Sequence, residues 1–229
     1  MKVGTDGVLL GAWVRLFGTE QHILDVGTGT GVIALMLAQR SAEARSSATI
    51  IGMDIDAASA EEAAASFKAS PWAGRMAAFC GDFRGLGADA SHPLKFLAFP
   101  YDLIVSNPPF FVDSLKAPEA RRSTARHTDS LTYADLIDGA LRNLAPEGRL
   151  AVVLPYAESS RFTETAAAAG LYPVRRCRVS TVAGTPPRRV LLELSRTAGD
   201  CQERELSIQD ESDYTEAYKS LTRDFYLKF

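Results

Sequence analysis

The chain has 229 residues, 46% hydrophobic and 23% charged, with a formal net charge of -3 and a pI near 5.7. That length and composition suit one soluble globular domain with a sizeable core. No apolar run approaches the roughly 20 residues of a membrane span, no secretory signal opens the chain, and the charge balance argues against a strongly basic nucleic-acid binder without excluding a local basic face.

The predicted elements follow in chain order. Residues Thr5 to Phe17 place helically spaced apolar residues after an N-cap-like Thr or Asp. His22 to Val26 is a short strand, and Gly27-Thr28-Gly29-Thr30-Gly31 leads into a helix over Val32 to Gln39. Ala48 to Met53 is a second strand, followed by Asp54 and Asp56. An alanine-rich helix, Ala57 to Ser70, is stopped by Pro71, and Met76 to Cys80 is a third strand ending at Gly81-Asp82. After a polar stretch comes a fourth strand, Tyr101 to Ser106. The irregular segment Phe111 to Ser130 is longer than most connections, as functional loops are. A helix over Leu131 to Leu144 ends at Pro146-Glu147-Gly148. The strand Arg149 to Leu154 and the helix Ala157 to Ala169 follow, then late strands at Leu171 to Val179 and Val190 to Ser195. Tyr218, Leu221, Phe225 and Tyr226 recur at helical spacing in the tail, which should dock on the body.

Strands alternating with helices imply an α/β fold, a mainly parallel sheet with helices on both faces. The last two strands lack a helix between them and read as an antiparallel edge hairpin, making seven strands in all. Cys80, Cys177 and Cys201 are odd in number, widely spaced and unmatched by a histidine cluster. They read as thiols in a reducing compartment rather than as disulfides or a metal site, so a cytoplasmic location and no metal are expected.

Two motifs carry chemistry. In Leu24-Asp25-Val26-Gly27-Thr28-Gly29-Thr30-Gly31 the glycines let the backbone turn sharply at the end of strand one, where ligands of such sheets bind. The spacing D-x-G-x-G-x-G differs from the dinucleotide pattern G-x-G-x-x-G. It puts an acid, Asp25, ahead of the turn, suited to a cationic amino-acid end rather than a pyrophosphate. A phosphate or dinucleotide on the helix N-terminus is the alternative. Asp54 is placed to accept from ribose hydroxyls, and Asp82 from an adenine amine with Phe83 as a stacking or backbone contact. The plain readings are a helix cap, which fits Asp56 better, and a loop turn. Acids recurring at successive strand ends make S-adenosylmethionine the ligand of best fit.

The second motif is Asn107-Pro108-Pro109-Phe110, closing the fourth strand. An Asn oxygen and a nearby carbonyl are two acceptors for one planar NH2 group. The prolines stiffen the turn and remove competing donors, and Phe110 offers a stacking face. Such a site suits alkyl transfer to an exocyclic amine; a proline-rich turn is the plain reading. The amine can shed its proton to water, so no general base is named, and His127 reads as a surface residue. Arginines gather between Arg121 and Arg126, at Arg175, Arg176 and Arg178, and at Arg188 and Arg189, which suggests either a phosphate-binding face or a solvated surface.

The opening Met1-Lys2-Val3-Gly4-Thr5-Asp6-Gly7-Val8-Leu9-Leu10-Gly11-Ala12-Trp13, with LDVGTGTG, SPWAGR, VSNPPF, ARHT, RRVLLEL and YTEAYKSLTRDFYLKF, resembles the bacterial valine-tRNA adenine-37 N6-methyltransferases over nearly the whole chain. The resemblance implies a Rossmann-like class I methyltransferase, one domain over residues 1–229, that uses S-adenosylmethionine and releases S-adenosylhomocysteine. Its partner would be a tRNA, with no membrane, and a monomer is favoured. By position, Asp25, Gly27, Gly29, Gly31, Asp54, Asp82, Phe83 and Asn107 would hold the cofactor, with Thr5 and Asp6 lining the same pocket. Asn107, Pro108 and Phe110 would hold the adenine, and Arg126, Arg188 and Arg189 would contact RNA. The family motif often ends in Tyr rather than Phe110, and members usually carry a short segment ahead of the opening signature. Rival readings are a glutamine-amide N5-methyltransferase acting on a protein, a guanine N2 RNA methyltransferase, and a non-catalytic cofactor- or RNA-binding module.

Overall fold

A computed structural model describes residues 4–88, 91–109 and 131–228. The elements in order are α1 (Thr5–Trp13), β1 (His22–Val26), α2 (Val32–Glu43), β2 (Thr49–Asp54), α3 (Ala57–Ala69), β3 (Met76–Cys80), β4 (Tyr101–Ser106), α4 (Tyr133–Asn143), β5 (Leu144–Pro155), α5 (Ser159–Ala169), β6 (Tyr172–Val182), β7 (Arg189–Ser195), β8 (Gln202–Gln209) and α6 (Glu216–Thr222). The eight strands form one sheet in the order β3-β2-β1-β4-β5-β7-β6-β8. Strands β3 through β5 run parallel, β7 pairs antiparallel with both β5 and β6, and β8 returns parallel to β6.

Alternating residues along the central strands feed two cores, one on each face of the sheet. Ile23, Ile50, Leu103, Val105 and Val153 face one way, onto Leu9 and Leu10 of α1, Leu37 of α2, Phe67 of α3 and Tyr218 of α6. Leu24, Ile51, Ile104, Val152 and Leu154 face the other, onto Leu136 and Ile137 of α4 and Phe162 of α5. Strand β1 lies between β2 and β4, so the chain leaves it in opposite directions on its two sides. The crevice at its carboxyl end is where a ligand fits in such sheets. Local signals agree with the helix limits. Asp56 caps α3 by accepting from the Ser59 N–H at 2.8 Å, and Thr132 and Asp135 form a reciprocal capping box on α4. The tail docks as expected, with Tyr218 buried and Leu221 and Phe225 packed against Val8, Ala12 and Met36.

Two expectations need correction. The sheet has eight strands rather than seven, because Gln202–Gln209 (QERELSIQ) forms the edge strand β8. Its sequence is polar, and only Leu206 on it is buried. It is held by its ladder with β6, by charge pairs and by Leu206 and Ile208, which pack on the core. Ion pairs within the sheet overturn the reading of Arg175, Arg176 and Arg178 as a phosphate-binding face. They bond to Glu193 at 2.6 Å, Glu203 at 3.0 Å and Glu205 at 3.1 Å, so their charge is answered within the sheet. Among the described residues, no helix is long and apolar enough to cross a membrane.

Candidate active site

The turn after β1 is built by backbone bonds. The N–H groups of Gly27 and Thr28 donate to the Met53 carbonyl at 2.8 and 3.1 Å, and Gly31 N–H donates to Thr28 O at 2.8 Å. The glycines in it have different duties. Gly27 has φ +70° and a Cβ there would meet nothing within 4 Å; it borders the cavity described below. At Gly31, φ is +80° and a Cβ would stand 2.5 Å from the Phe67 ring, so this position lets α2 start against α3. Only the first leaves backbone open to a ligand.

Asp25 is fully buried beneath the turn. Its Oδ2 accepts from the Thr28 hydroxyl at 2.8 Å and from the Ala34 N–H at 3.2 Å, while Oδ1 has no partner among the described residues. Burial pushes its carboxyl up to about 7, against the lowering pull of Thr28 and Ala34 and with a further push from Asp54. Asp54 ends β2 and is pinned on both oxygens, Oδ2 by Gly29 N–H at 2.9 Å and Oδ1 by Asp56 N–H at 3.0 Å. Asp82 follows β3. The Arg84 side chain holds its carboxyl below the usual range, with Nε bonding it at 2.9 Å and Nη2 at 2.6 Å. The Phe83 ring packs inward beneath it, against Gly139, where a Cβ would lie 2.4 Å from the ring.

At the end of β4 the Ser106 hydroxyl donates to Val26 O at 2.8 Å, tying the two strand ends together. Asn107 comes next, and its Oδ1 is buried with no hydrogen-bond partner among the described residues. An acceptor left so costs about 1–3 kcal/mol until a donor arrives. Pro108, behind it, carries no N–H to compete. Gly27, Asp54, Asp82, Phe83, Asn107 and Pro108 all border one cavity of about 320 Å³, the size of a small-ligand site. The glycine turn, both acids and the asparagine therefore share one rim.

The remaining site residues lie elsewhere. Asp25 and Gly31 support the turn from below, and Gly29 serves it by binding Asp54. Thr5 is exposed at the start of α1, and Asp6 accepts from Arg189 Nε at 2.8 Å; neither borders the cavity. Arg188 is exposed beside them. Phe110, Arg126 and His127 lie outside the described residues. Sequence reasoning missed Met53, Ile55, Arg84 and Leu131, which also line the cavity. Ile55 is 50% exposed between two aspartates, and an apolar residue left open at a strand end was the available signal.

These residues fit a nucleoside cofactor with a polar tail. They supply acids at two strand ends, the apolar walls Ile55 and Phe83, and an open backbone at Gly27. Comparison with known proteins agrees. The family model for the methyltransferase small domain matches residues 7–162. A tRNA1(Val) (adenine(37)-N6)-methyltransferase of Bacteroides fragilis is 46% identical over 229 residues, spanning 100% of this chain and 92% of that protein. Proteins of the same name from Parabacteroides distasonis and Tolumonas auensis are 43% and 41% identical, each over 100% of this chain and 92% and 91% of their own lengths. Among solved structures, a predicted O-methyltransferase of Agrobacterium tumefaciens superposes with a TM-score of 0.70 at 16% identity, covering 96% of both chains. That likeness speaks to the fold alone.

Proposed function

Since this chain belongs to the tRNA1(Val) (adenine(37)-N6)-methyltransferase family, we propose that the cavity beside Asn107 is where its methyl transfer takes place. The reaction is transfer of a methyl group from S-adenosylmethionine to the exocyclic N6 amine of a tRNA adenine. The family name places that adenine at position 37 of a valine tRNA. S-adenosylmethionine supplies an electrophilic methyl on a sulfonium centre and leaves as S-adenosylhomocysteine.

The chain's own residues supply position and polarity. Asp54 and Asp82 offer carboxylate acceptors to the cofactor's hydroxyl and amine groups, while Gly27 gives close access to backbone. Asn107 Oδ1 accepts one N6 hydrogen. That bond draws density toward a nitrogen whose lone pair is otherwise delocalised into the ring, and it fixes the direction of approach. As the new N–C bond forms, the amine carries a positive charge that it relieves by releasing its proton to water. Phe110 would stack on the adenine, and Arg126 and Arg188 would meet the RNA backbone, while Arg189 is held by Asp6. Residues 1–229 would act within one domain, in the cytoplasm.

The observation that carries this reading is the buried Asn107 Oδ1, without a hydrogen-bond partner among the described residues, on the same cavity as Gly27, Asp54 and Asp82. The test offers labelled cofactor with valine tRNA, a release factor and ribosomal RNA in parallel, and maps the products by mass spectrometry. N6-methyladenine beside the valine anticodon is expected. Label confined to a glutamine peptide or to guanine would overturn it.

A further inference from the structure

Strand β5 lies directly beside β4, with Val152 in register with Ser106. It then continues past the level of Asn107 to Pro155 and the short turn Tyr156–Glu158. Three residues of extended rise put Tyr156 roughly 10 Å above Asn107 and about 5 Å across, on the same lip of the sheet. Tyr156 is 37% exposed, and its hydroxyl has no partner among the described residues.

Tyr156 is coupled to the β6–β7 hairpin. Its N–H donates to Arg188 O at 3.0 Å, and Arg188 N–H donates to Val179 O at 2.8 Å. The Arg188 backbone is thus clamped between β5 and β6 while its side chain stays exposed. Five arginines lie on this hairpin. Arg175, Arg176, Arg178 and Arg189 are bonded to Glu193, Glu203, Glu205 and Asp6. Among the described residues, the Arg188 side chain alone of the five has no carboxylate or hydrogen-bond partner. An exposed aromatic residue and an exposed arginine on backbones joined by a hydrogen bond make a platform of the kind that binds single-stranded nucleic acid: the ring takes a base and the cation its phosphate.

We infer that Tyr156 and Arg188 form a subsite for a nucleotide flanking the methylated adenine, Tyr156 stacking on its base and Arg188 holding its phosphate. This rests on the tRNA reading above. An anticodon-loop adenine must leave its stack to reach Asn107, and the subsite would hold the neighbouring strand unstacked on the lip while it does so. Tyr156 is then a positioning residue, distant from the reacting atoms.

The test is steady-state methylation of valine tRNA by the full chain at several salt concentrations, with cofactor affinity measured separately by calorimetry. Tyr156→Ala should raise the KM for tRNA roughly tenfold to a hundredfold. It should leave cofactor affinity and melting temperature unchanged. Tyr156→Phe, which keeps the ring, should behave as the parent protein. Arg188→Ala should weaken tRNA binding and lower the slope of log K against log salt by about one. If the parent methylates tRNA while both alanine variants match its KM and salt slope, the subsite is wrong and the catalytic reading stands. A Tyr156→Phe loss equal to that of Tyr156→Ala would also overturn stacking. Should Tyr156→Ala fail to fold, the Arg188→Ala slope decides. A parent protein that does not methylate tRNA would bring down both readings.

Discussion

An amide oxygen without a partner, buried at the end of a strand, has a cost that binding an amine would relieve. Among the described residues Asn107 is in that position, so its replacement should damage turnover more than cofactor binding. Asn107→Ala is expected to raise the barrier by roughly 2–4 kcal/mol, the range for losing one oriented polar group. Single-turnover kinetics measure this, and an unchanged rate would remove Asn107 from the mechanism. Asp25 makes a different prediction. Burial holds its carboxyl at about 7, above the ordinary 3.8, so the folded protein binds a proton there that the unfolded chain releases. Its stabilising contribution is whole below about pH 4 and is lost as pH rises through about 7, a span worth roughly 4 kcal/mol at most. Asp25→Asn should flatten that decline in urea midpoints taken between pH 4.5 and 7.5. An unaltered slope would mean that Asp25 is ionised in the fold.

Among the elements, the antiparallel half of the sheet is joined to the loop after α1 by a buried charge cluster. Glu193 on β7 is 1% exposed on its side chain and accepts from Arg15 N–H at 2.6 Å, Arg149 Nη1 at 3.1 Å and Arg175 Nη1 at 2.6 Å. Arg149 also reaches Glu20 at 3.2 Å, and the Arg175 guanidinium lies 4.2 Å from the centre of the Trp13 ring. Removing the shared acid would take from Arg175 its carboxylate partner and leave Arg149 with Glu20 alone. Glu193→Ala should therefore cost about 3–5 kcal/mol of stability in a urea titration. A smaller loss would mean that water enters and screens the arginines. Strand β8 stabilises the same half of the sheet through Glu203 and Glu205, which explains how a polar segment can form an edge.

For the whole molecule, a net charge of -3 leaves RNA binding to the local arrangement of cations. Most arginines of the β6–β7 hairpin are neutralised internally, so few phosphate contacts remain to release counterions there. Affinity for tRNA should fall as salt rises from 50 to 200 mM, with a shallow slope of a few phosphate contacts, while cofactor affinity changes little. Fluorescence anisotropy over that range measures it. A slope near ten contacts would place the main RNA grip on surfaces other than this hairpin.

Much of the fold was legible in the residues. Strands β1 to β7 and the helices that flank them came from apolar periodicity, and the positions of Gly27, Asp54, Asp82 and Asn107 on one rim came from motifs at successive strand ends. Those features are local: a strand, a turn and a capped helix are written in neighbouring residues. Partnership across the sheet was not legible. Whether an arginine meets RNA or a glutamate on the next strand, whether Gly31 faces a ligand or Phe67, and whether Asp25 is wet or buried depend on residues far away in sequence. The polar strand β8 belongs with them, since ladder bonds to β6 create it. The chain by itself determined the chemistry of the rim, because that chemistry needs particular side chains at strand ends. Only the tertiary structure decided which charges remain free to use, because charges are paired by contacts in space.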